Sequence, residues 1–400
     1  MRGGADGQDA VAARLFRLSI GVFFIGGFVA SSVGLLVPRV RLTLGLDYAA
    51  ATQIQLASYS SYLVFALPIA AVVSVWGYMR AHAAGLALMA AACLLLVAGF
   101  ASRAFPLVLA SLLILSAGQT VLQIASNTVS TMVGDPARAA FRLNLLQGFN
   151  AVGTVAGPLV GARFIVAEDG GGSLLLPFGG AALLLLVLVG GFFASRGLLN
   201  GTASGATHTT RQAWAEALRD RRLLAGAGAI FAYVGAEVTI GALLTDFLMS
   251  SHALALSPSA AARLVAVYWG AAMIGRFAGA ALMRHVVPPI LLSVAAGTAV
   301  VLVGLAVGGT GLPAAAALLG VGLFNSVMYP TIYVLALPRR PEQATAGATI
   351  LCMAVVGGAI VPHVTGLVAD RAGLVPALIL PGLCYLPVLL FAVTARRHTP

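Results

Sequence analysis

The sequence predicts an all-α membrane protein of about twelve transmembrane helices in two six-helix halves, and three observations carry that prediction. The 400 residues are 60% hydrophobic and 9% charged, with a mean hydropathy of +1.00; an ordinary soluble domain is about 45–50% apolar and about 25% charged. Apolar runs of the length that crosses a bilayer, at least about 18 residues, recur from near the N-terminus to the C-terminus. A single long polar interruption splits them into two groups of similar length, and no soluble domain of any size fits between them.

Taken in order, the apolar windows fall at roughly 15–38, 51–76, 83–101, 105–131, 140–166 and 174–197, then at 223–249, 258–284, 287–308, 313–337, 345–369 and 374–395. Each is long enough to cross with some tilt. The predicted organisation is a first half over 1–197, a cytoplasmic connector over 198–222 and a second half over 223–400. The connector opens Gly/Ser/Thr-rich and continues as Gln212-Ala213-Trp214-Ala215-Glu216-Ala217-Leu218-Arg219, an amphipathic stretch expected to form a short interfacial helix.

Charge sets the orientation. All 23 basic residues are arginine, and they account for the net charge of +11. With both termini cytoplasmic, the inner ends and loops hold most of them, from Arg14 and Arg17 through Arg138, Arg142, Arg219, Arg221, Arg222, Arg276, Arg284, Arg339 and Arg340 to Arg396. The outer side holds only Arg39, Arg41, Arg103, Arg163, Arg263 and Arg371. That bias predicts N-in and C-in, and it accounts for the basic balance without nucleic acid. The first residues, with Asp6 and Asp9, lack the tripartite pattern of a cleavable signal, so the first helix is expected to direct insertion itself.

Enzyme chemistry finds little support. Cys93, Cys352 and Cys384 lie in apolar runs without ligand spacing, and His82, His252, His285 and His363 stand singly near helix ends. No metal cluster, phosphate loop or nucleophile motif is present, so neither a metal nor another cofactor is expected.

The polar residues inside the spans carry the functional signal. The fourth span has Gln119, Gln123 and Asn127 at intervals of four, the fifth has Asn144, Gln147 and Asn150 at intervals of three, the seventh has Tyr233 and Glu237, and the tenth has Asn325 and Tyr329. Those spacings stack side chains on one helical face. Amides and phenols on several aligned faces suit a neutral polyol, whose hydroxyls must recover the hydrogen bonds they made in water. For each single amide the alternative is an interhelical hydrogen bond. The Gly-rich stretches 148–161 and 347–366 are expected to be close-packing surfaces. Glu237 is the acid set well inside a span, and a carboxylate at membrane depth is costly enough to mark a substrate or ion path. Its alternative is a structural glutamate, permanently protonated or hydrogen-bonded. Asp246, near the outer end of the same span, reads as a solvated cap.

Several runs are similar to one family. Phe141-Arg142-Leu143-Asn144-Leu145-Leu146-Gln147-Gly148-Phe149-Asn150, Tyr233-Val234-Gly235-Ala236-Glu237, Gly275-Arg276-Phe277-Ala278-Gly279, Met328-Tyr329-Pro330-Thr331-Ile332-Tyr333 and Gly357-Gly358-Ala359-Ile360-Val361-Pro362 resemble the fucose, glucose and galactose proton symporters of the major facilitator superfamily. The resemblance spans both halves in order. It implies the major facilitator fold, built from inverted repeats, with the first, fourth, seventh and tenth helices lining a central cavity. It further implies that Gln147 and Asn150 contact sugar and that the protein works as a monomer. Three positions depart from the pattern. Gln123 stands where the fucose-carrying members have a glutamate, and Gly34 stands where they have an aspartate, while Ser31 replaces a sugar-binding amide. Coupling, if present, then falls to Glu237. Loop charges Asp135, Arg142 and Arg276 resemble cytoplasmic latches of that superfamily, whereas Gly77-Tyr78-Met79-Arg80-Ala81-His82 is a degenerate form of its basic loop motif.

The expected function is transport of a small neutral sugar across the inner membrane by alternating access, coupled to a proton through Glu237. An uncoupled or sodium-coupled carrier, or an exporter of another polar solute, is the alternative on the same fold. A solute sensor is a third reading.

Overall fold

A computed structural model describes residues 2–34, 61–132, 135–164, 174–195 and 211–396, and among these there is no strand. The start of the second predicted span, the glycine-rich start of the connector, and Arg39, Arg41 and Arg196 lie outside the described residues. In chain order the helices are α1 (Arg2–Gly34), α2 (Ala66–Trp76), α3 (Tyr78–Ala101), α4 (Phe105–Met132), α5 (Ala139–Phe164) and α6 (Gly180–Ala194). The connector contributes α7 (Arg211–Ala217). There follow α8 (Arg221–Met249), α9 (Pro258–Leu282), α10 (Pro288–Gly308), α11 (Gly311–Asn325), α12 (Met328–Ala336), α13 (Pro341–Met353), α14 (Gly357–Ala372), α15 (Leu374–Ala377), α16 (Ile379–Leu383) and α17 (Tyr385–Arg396).

Ten of the helical segments among the described residues are long and apolar enough to cross a membrane, and α5 adds 26 residues interrupted by three amides. This is a multi-pass membrane protein. Its last three predicted spans are broken, and prolines explain two of them. Pro330 has no N–H for the Ser326 carbonyl, and the tenth span divides at Ser326 and Val327 into α11 and α12. In the twelfth span Pro381 and Pro387 leave the carbonyls of Ala377 and Leu383 without their ladder partners, and the breaks fall at Leu378 and Cys384. The eleventh passes through a 3-10 turn at Ala354–Val356. Sharp reversals use glycines with positive φ, Gly77 between α2 and α3 and Gly373 before α15, where a Cβ would be strained.

Contacts divide the chain into two compact units. The first comprises Met1–Ala139, Phe149–Ala217 and Pro338–Met353; the second comprises Ala140–Gly148, Leu218–Leu337 and Ala354–Pro400. In the first unit α3 presents Leu86, Met89, Cys93 and Leu96, a three-and-four stripe, to Leu112 and Leu115 of α4 and to Phe178, Leu185 and Leu188 around α6. Gly85 and Gly118 let α3 and α4 approach closely: a Cβ at Gly85 would meet Val121, and one at Gly118 would meet Met89. Gly153 sits on the Phe24 carbonyl of α1, and Gly157 on the hydroxyls of Ser31 and Ser32.

In the second unit α8 is the central helix. Gly235 packs on Val361 of α14, Gly357 sits against the Phe231 backbone, and Gly226 rests on Ala336 of α12. Gly275 and Gly322 do the same where α9 crosses α11. The glycines of both predicted stretches that have close neighbours are therefore at helix crossings, as small residues are in membrane bundles generally.

Candidate functional site

The predicted polar residues fall into two sets, one in each unit. In the first unit Gln119 and Gln123 are half-buried on α4 while Asn127, a turn further on, is fully buried. Asn150 on α5 donates through Nδ2 to the Phe23 carbonyl of α1 at 3.0 Å, one of the interhelical bonds anticipated for such amides. Ser31 donates to its own helix, at the Phe28 carbonyl, 3.1 Å away.

The second unit holds Asn144 and Gln147, from the first turns of α5, with Tyr233, Glu237, Asn325 and Tyr329. Asn144 is fully buried. Its Nδ2 lies 2.9 Å from the Ala140 carbonyl, 3.2 Å from Met283 Sδ and 3.4 Å from Thr331 Oγ1, so it serves as a junction between α5, the end of α9 and α12. Gln147 offers its carbonyl to Arg276 Nη1 at 3.1 Å, and the next residue, Gly148, packs against the Phe277 ring. Arg284 lies over the Phe141 ring, 4.8 Å from its centroid.

Glu237 and Tyr233 face the same direction from α8, one turn apart. Glu237 Oε1 and Tyr233 Oη are both withdrawn from solvent and near enough to interact with one another, but neither makes a hydrogen bond of full geometry. Arg276 is within electrostatic range of both, yet it forms no ion pair with Glu237, and its Nε is also buried without a partner. Asn325 donates to Tyr268 Oη at 3.0 Å, and Tyr268 and Tyr385 are in turn within electrostatic range of Glu237. A buried polar group without a partner costs about 1–3 kcal/mol, so a concentration of them around one carboxylate marks a place built for something other than stability. Tyr329 lies on α12 beyond the break at Ser326 and packs on Tyr333, centroids 6.1 Å apart. The break means that Asn325 and Tyr329, four apart in sequence, belong to different helices.

The charges expected to form latches have separate surroundings. Asp135 caps the turn at Pro136–Arg138 through the Ala137 N–H at 2.9 Å, and pairs with Arg138 at 3.8 Å on an exposed surface. Arg276 lies about a turn and a half inside the end of α9, on the Gln147 carbonyl.

Sequence reasoning missed several participants. Tyr268 and Tyr385 lie in spans that carried no polar pattern. Tyr78 bonds Thr345 at 2.9 Å across 267 residues of sequence. His82, expected to stand alone near a helix end, is buried, bonds Ser126 Oγ at 2.7 Å and stacks on Phe192 at 4.7 Å. The degenerate motif 77–82 thus contributes two buried, hydrogen-bonded rings beside the exposed charge of Arg80. On α7, Glu216 accepts from Gln212 at 3.0 Å and from Gln343 at 2.5 Å, with Arg340 at 3.9 Å.

Comparison with known proteins gives a consistent answer. The sequence profile of the Major Facilitator Superfamily matches residues 18–362. A glucose/galactose transporter of Brucella abortus biovar 1 (strain 9-941) is 35% identical over 385 residues, covering 94% of this chain and 92% of that protein. The L-fucose-proton symporter of Escherichia coli (strain K12) is 27% identical over 407 residues, with 94% and 92% covered. Among solved structures, the transporter FucP in its outward conformation superposes with a TM-score of 0.82 at 24% identity, covering 95% of this chain and 98% of that one, which is a likeness of fold.

Proposed function

The chain belongs to the Major Facilitator Superfamily, and on that premise we propose that it is a secondary transporter carrying a small neutral sugar, a hexose or deoxyhexose, by alternating access, with a proton carried on Glu237. The relatives' names support the substrate class and the coupling. The setting of Glu237 supports the choice of carrier: its Oε1 is buried and unpartnered inside the span Arg221–Met249, where ionisation is costly unless a proton or a counter-charge meets it. The amides and phenols Gln119, Gln123, Asn127, Asn144, Gln147, Asn150, Tyr233, Asn325 and Tyr329, with Ser31, are the groups proposed to exchange hydrogen bonds with sugar hydroxyls. The arginine distribution supports an inner-membrane protein with both termini cytoplasmic, acting as a monomer, with Asp135, Arg142 and Arg276 holding its cytoplasmic side.

A second reading keeps the sugar and removes the proton. Gln123 and Gly34 stand where fucose-carrying relatives resemble this sequence but have acids, which favours an uncoupled or sodium-coupled carrier. Both readings meet in one experiment: proteoliposomes loaded with a pH-sensitive dye, a panel of hexoses, and wild type beside Glu237→Gln. Proton symport gives sugar-dependent acidification that Glu237→Gln abolishes while measurable sugar exchange remains. Sugar uptake without acidification in either protein excludes proton symport, and repeating it with and without sodium separates the two remaining carriers.

A further inference from the structure

We propose that Arg276 is a positioning residue that ties the coupling carboxylate to the helix bearing Asn144 and Gln147: it holds the Gln147 carbonyl while Glu237 is protonated and turns to Glu237 when that group ionises. The proposal rests on the carrier role given to Glu237 above. Its geometry is that of one cation between two acceptors. Nη1 is committed to the Gln147 carbonyl at 3.1 Å, while Nε, on the same rigid fork, is buried and unpartnered. Glu237 Oε1 is buried and unpartnered within electrostatic range of that fork. A guanidinium stays charged throughout, so the only proton that moves is the one on Glu237, which leaves for solvent and uncovers a negative charge. Glu237 Oε1 and Arg276 Nε, each withdrawn from solvent and short of a hydrogen bond, then satisfy one another, and Arg276 gives up the α5 carbonyl.

The packing explains why so small a movement reaches α5. Gly148 rests directly on the Phe277 ring, Asn144 on Met283 and Thr331, and Phe141 under Arg284, so the first turns of α5 are docked on α9, its end and α12 through adjacent contacts. The Arg276 bond is the one among them that lies within electrostatic range of Glu237. The groups facing Glu237 are Tyr233 of α8, Arg276 and Tyr268 of α9 and Tyr385 of α17. The contacts of α14 and α12 with α8 include Gly357, Val361 and Ala336, none of which titrates. Among these groups Arg276 is the cation.

The test reads α5 directly, without sugar. In wild type, amide hydrogen exchange over residues 140–148, corrected for the intrinsic effect of pH, is expected to rise about fivefold or more from mildly acidic to mildly alkaline buffer, the lower end of ordinary coupling between sites. Glu237→Gln, always neutral, is expected to remain slow at both. Arg276→Gln is expected to be fast at both, and Arg276→Lys to recover part of the pH dependence, which a purely structural role would not produce. Exchange that is independent of pH in wild type overturns the proposal, as does an Arg276→Gln profile equal to that of wild type. If Arg276→Gln does not fold, wild type and Glu237→Gln decide alone. Because no sugar is present, failure of the sugar-transport reading shows up only in the liposome assay and leaves this measurement intact.

Discussion

Tyr268 shows how much a single hydroxyl carries in this protein. It accepts the Nδ2 hydrogen of Asn325, a residue with no exposed surface. Tyr268→Phe leaves that donor stranded, at about 1–3 kcal/mol, and thermal unfolding in detergent is expected to show a clear loss; an unchanged midpoint would mean Asn325 has found another acceptor. Glu237 is the opposite case. Its unpartnered oxygen makes no contribution to stability, so Glu237→Gln is expected to leave the unfolding midpoint equal to or above that of wild type while removing proton-coupled uptake in liposomes. Sequence reading found Glu237 and Asn325 because each breaks an apolar run, and Tyr233 because it stands four residues from Glu237. It missed Tyr268 and Tyr385 because a buried tyrosine in a membrane span looks like any other aromatic until its hydroxyl is seen beside a partner.

At the scale of elements, the glycines divide sharply by what lies opposite them. A methyl group at Gly357 would land on the Phe231 carbonyl, forcing α14 away from α8, whereas Gly190 on α6 has nothing within 4 Å. Gly357→Ala is expected to cost about 1–3 kcal/mol through overpacking. Gly190→Ala is expected to be neutral or to gain up to about 1 kcal/mol from helix propensity. Equal effects of the two on thermal unfolding would contradict the crossing geometry. Sequence composition identified the Gly-rich stretches as packing surfaces, but not which face of each helix meets which neighbour. The breaks were hidden for a related reason: an apolar window reads Pro330, Pro381 and Pro387 as part of a span, although each removes a ladder bond.

At the scale of the molecule, residues far apart in sequence are joined by two kinds of contact. Tyr78 with Thr345 is neutral and buried, whereas Glu216 with Gln343 and Arg340 is charged and only partly buried. Hydrogen bonds from Gln212 and then Gln343, with Arg340 adding attraction, hold the Glu216 carboxyl below the usual carboxylate range. Because the folded value is depressed, the contribution of this contact is complete above the ordinary carboxylate pKa and is lost as pH falls through the lowered one. Acid or high salt is therefore expected to speed hydrogen exchange in α7, and Glu216→Gln to remove the acid response. The segment 345–349, beyond Gln343 and beside Tyr78, is expected to respond less to salt, and to loosen instead in Tyr78→Phe. Equal salt sensitivity of the two segments would show that Tyr78 and Thr345 are not what holds α13.

The sequence by itself determined that this chain is a membrane protein of many helices, where most spans lie, and which carboxylate is out of place. Hydropathy, charge bias and an acid within an apolar run are properties of short stretches, and they survive without knowledge of any neighbour. Only the tertiary structure decided that Arg276 rests on the Gln147 carbonyl, that Asn325 meets Tyr268, and that Tyr78 meets Thr345. Those pairings depend on how each helix is rotated and where glycines let it cross another. That information lies in the fit of side chains between helices and not in the pattern along any one of them.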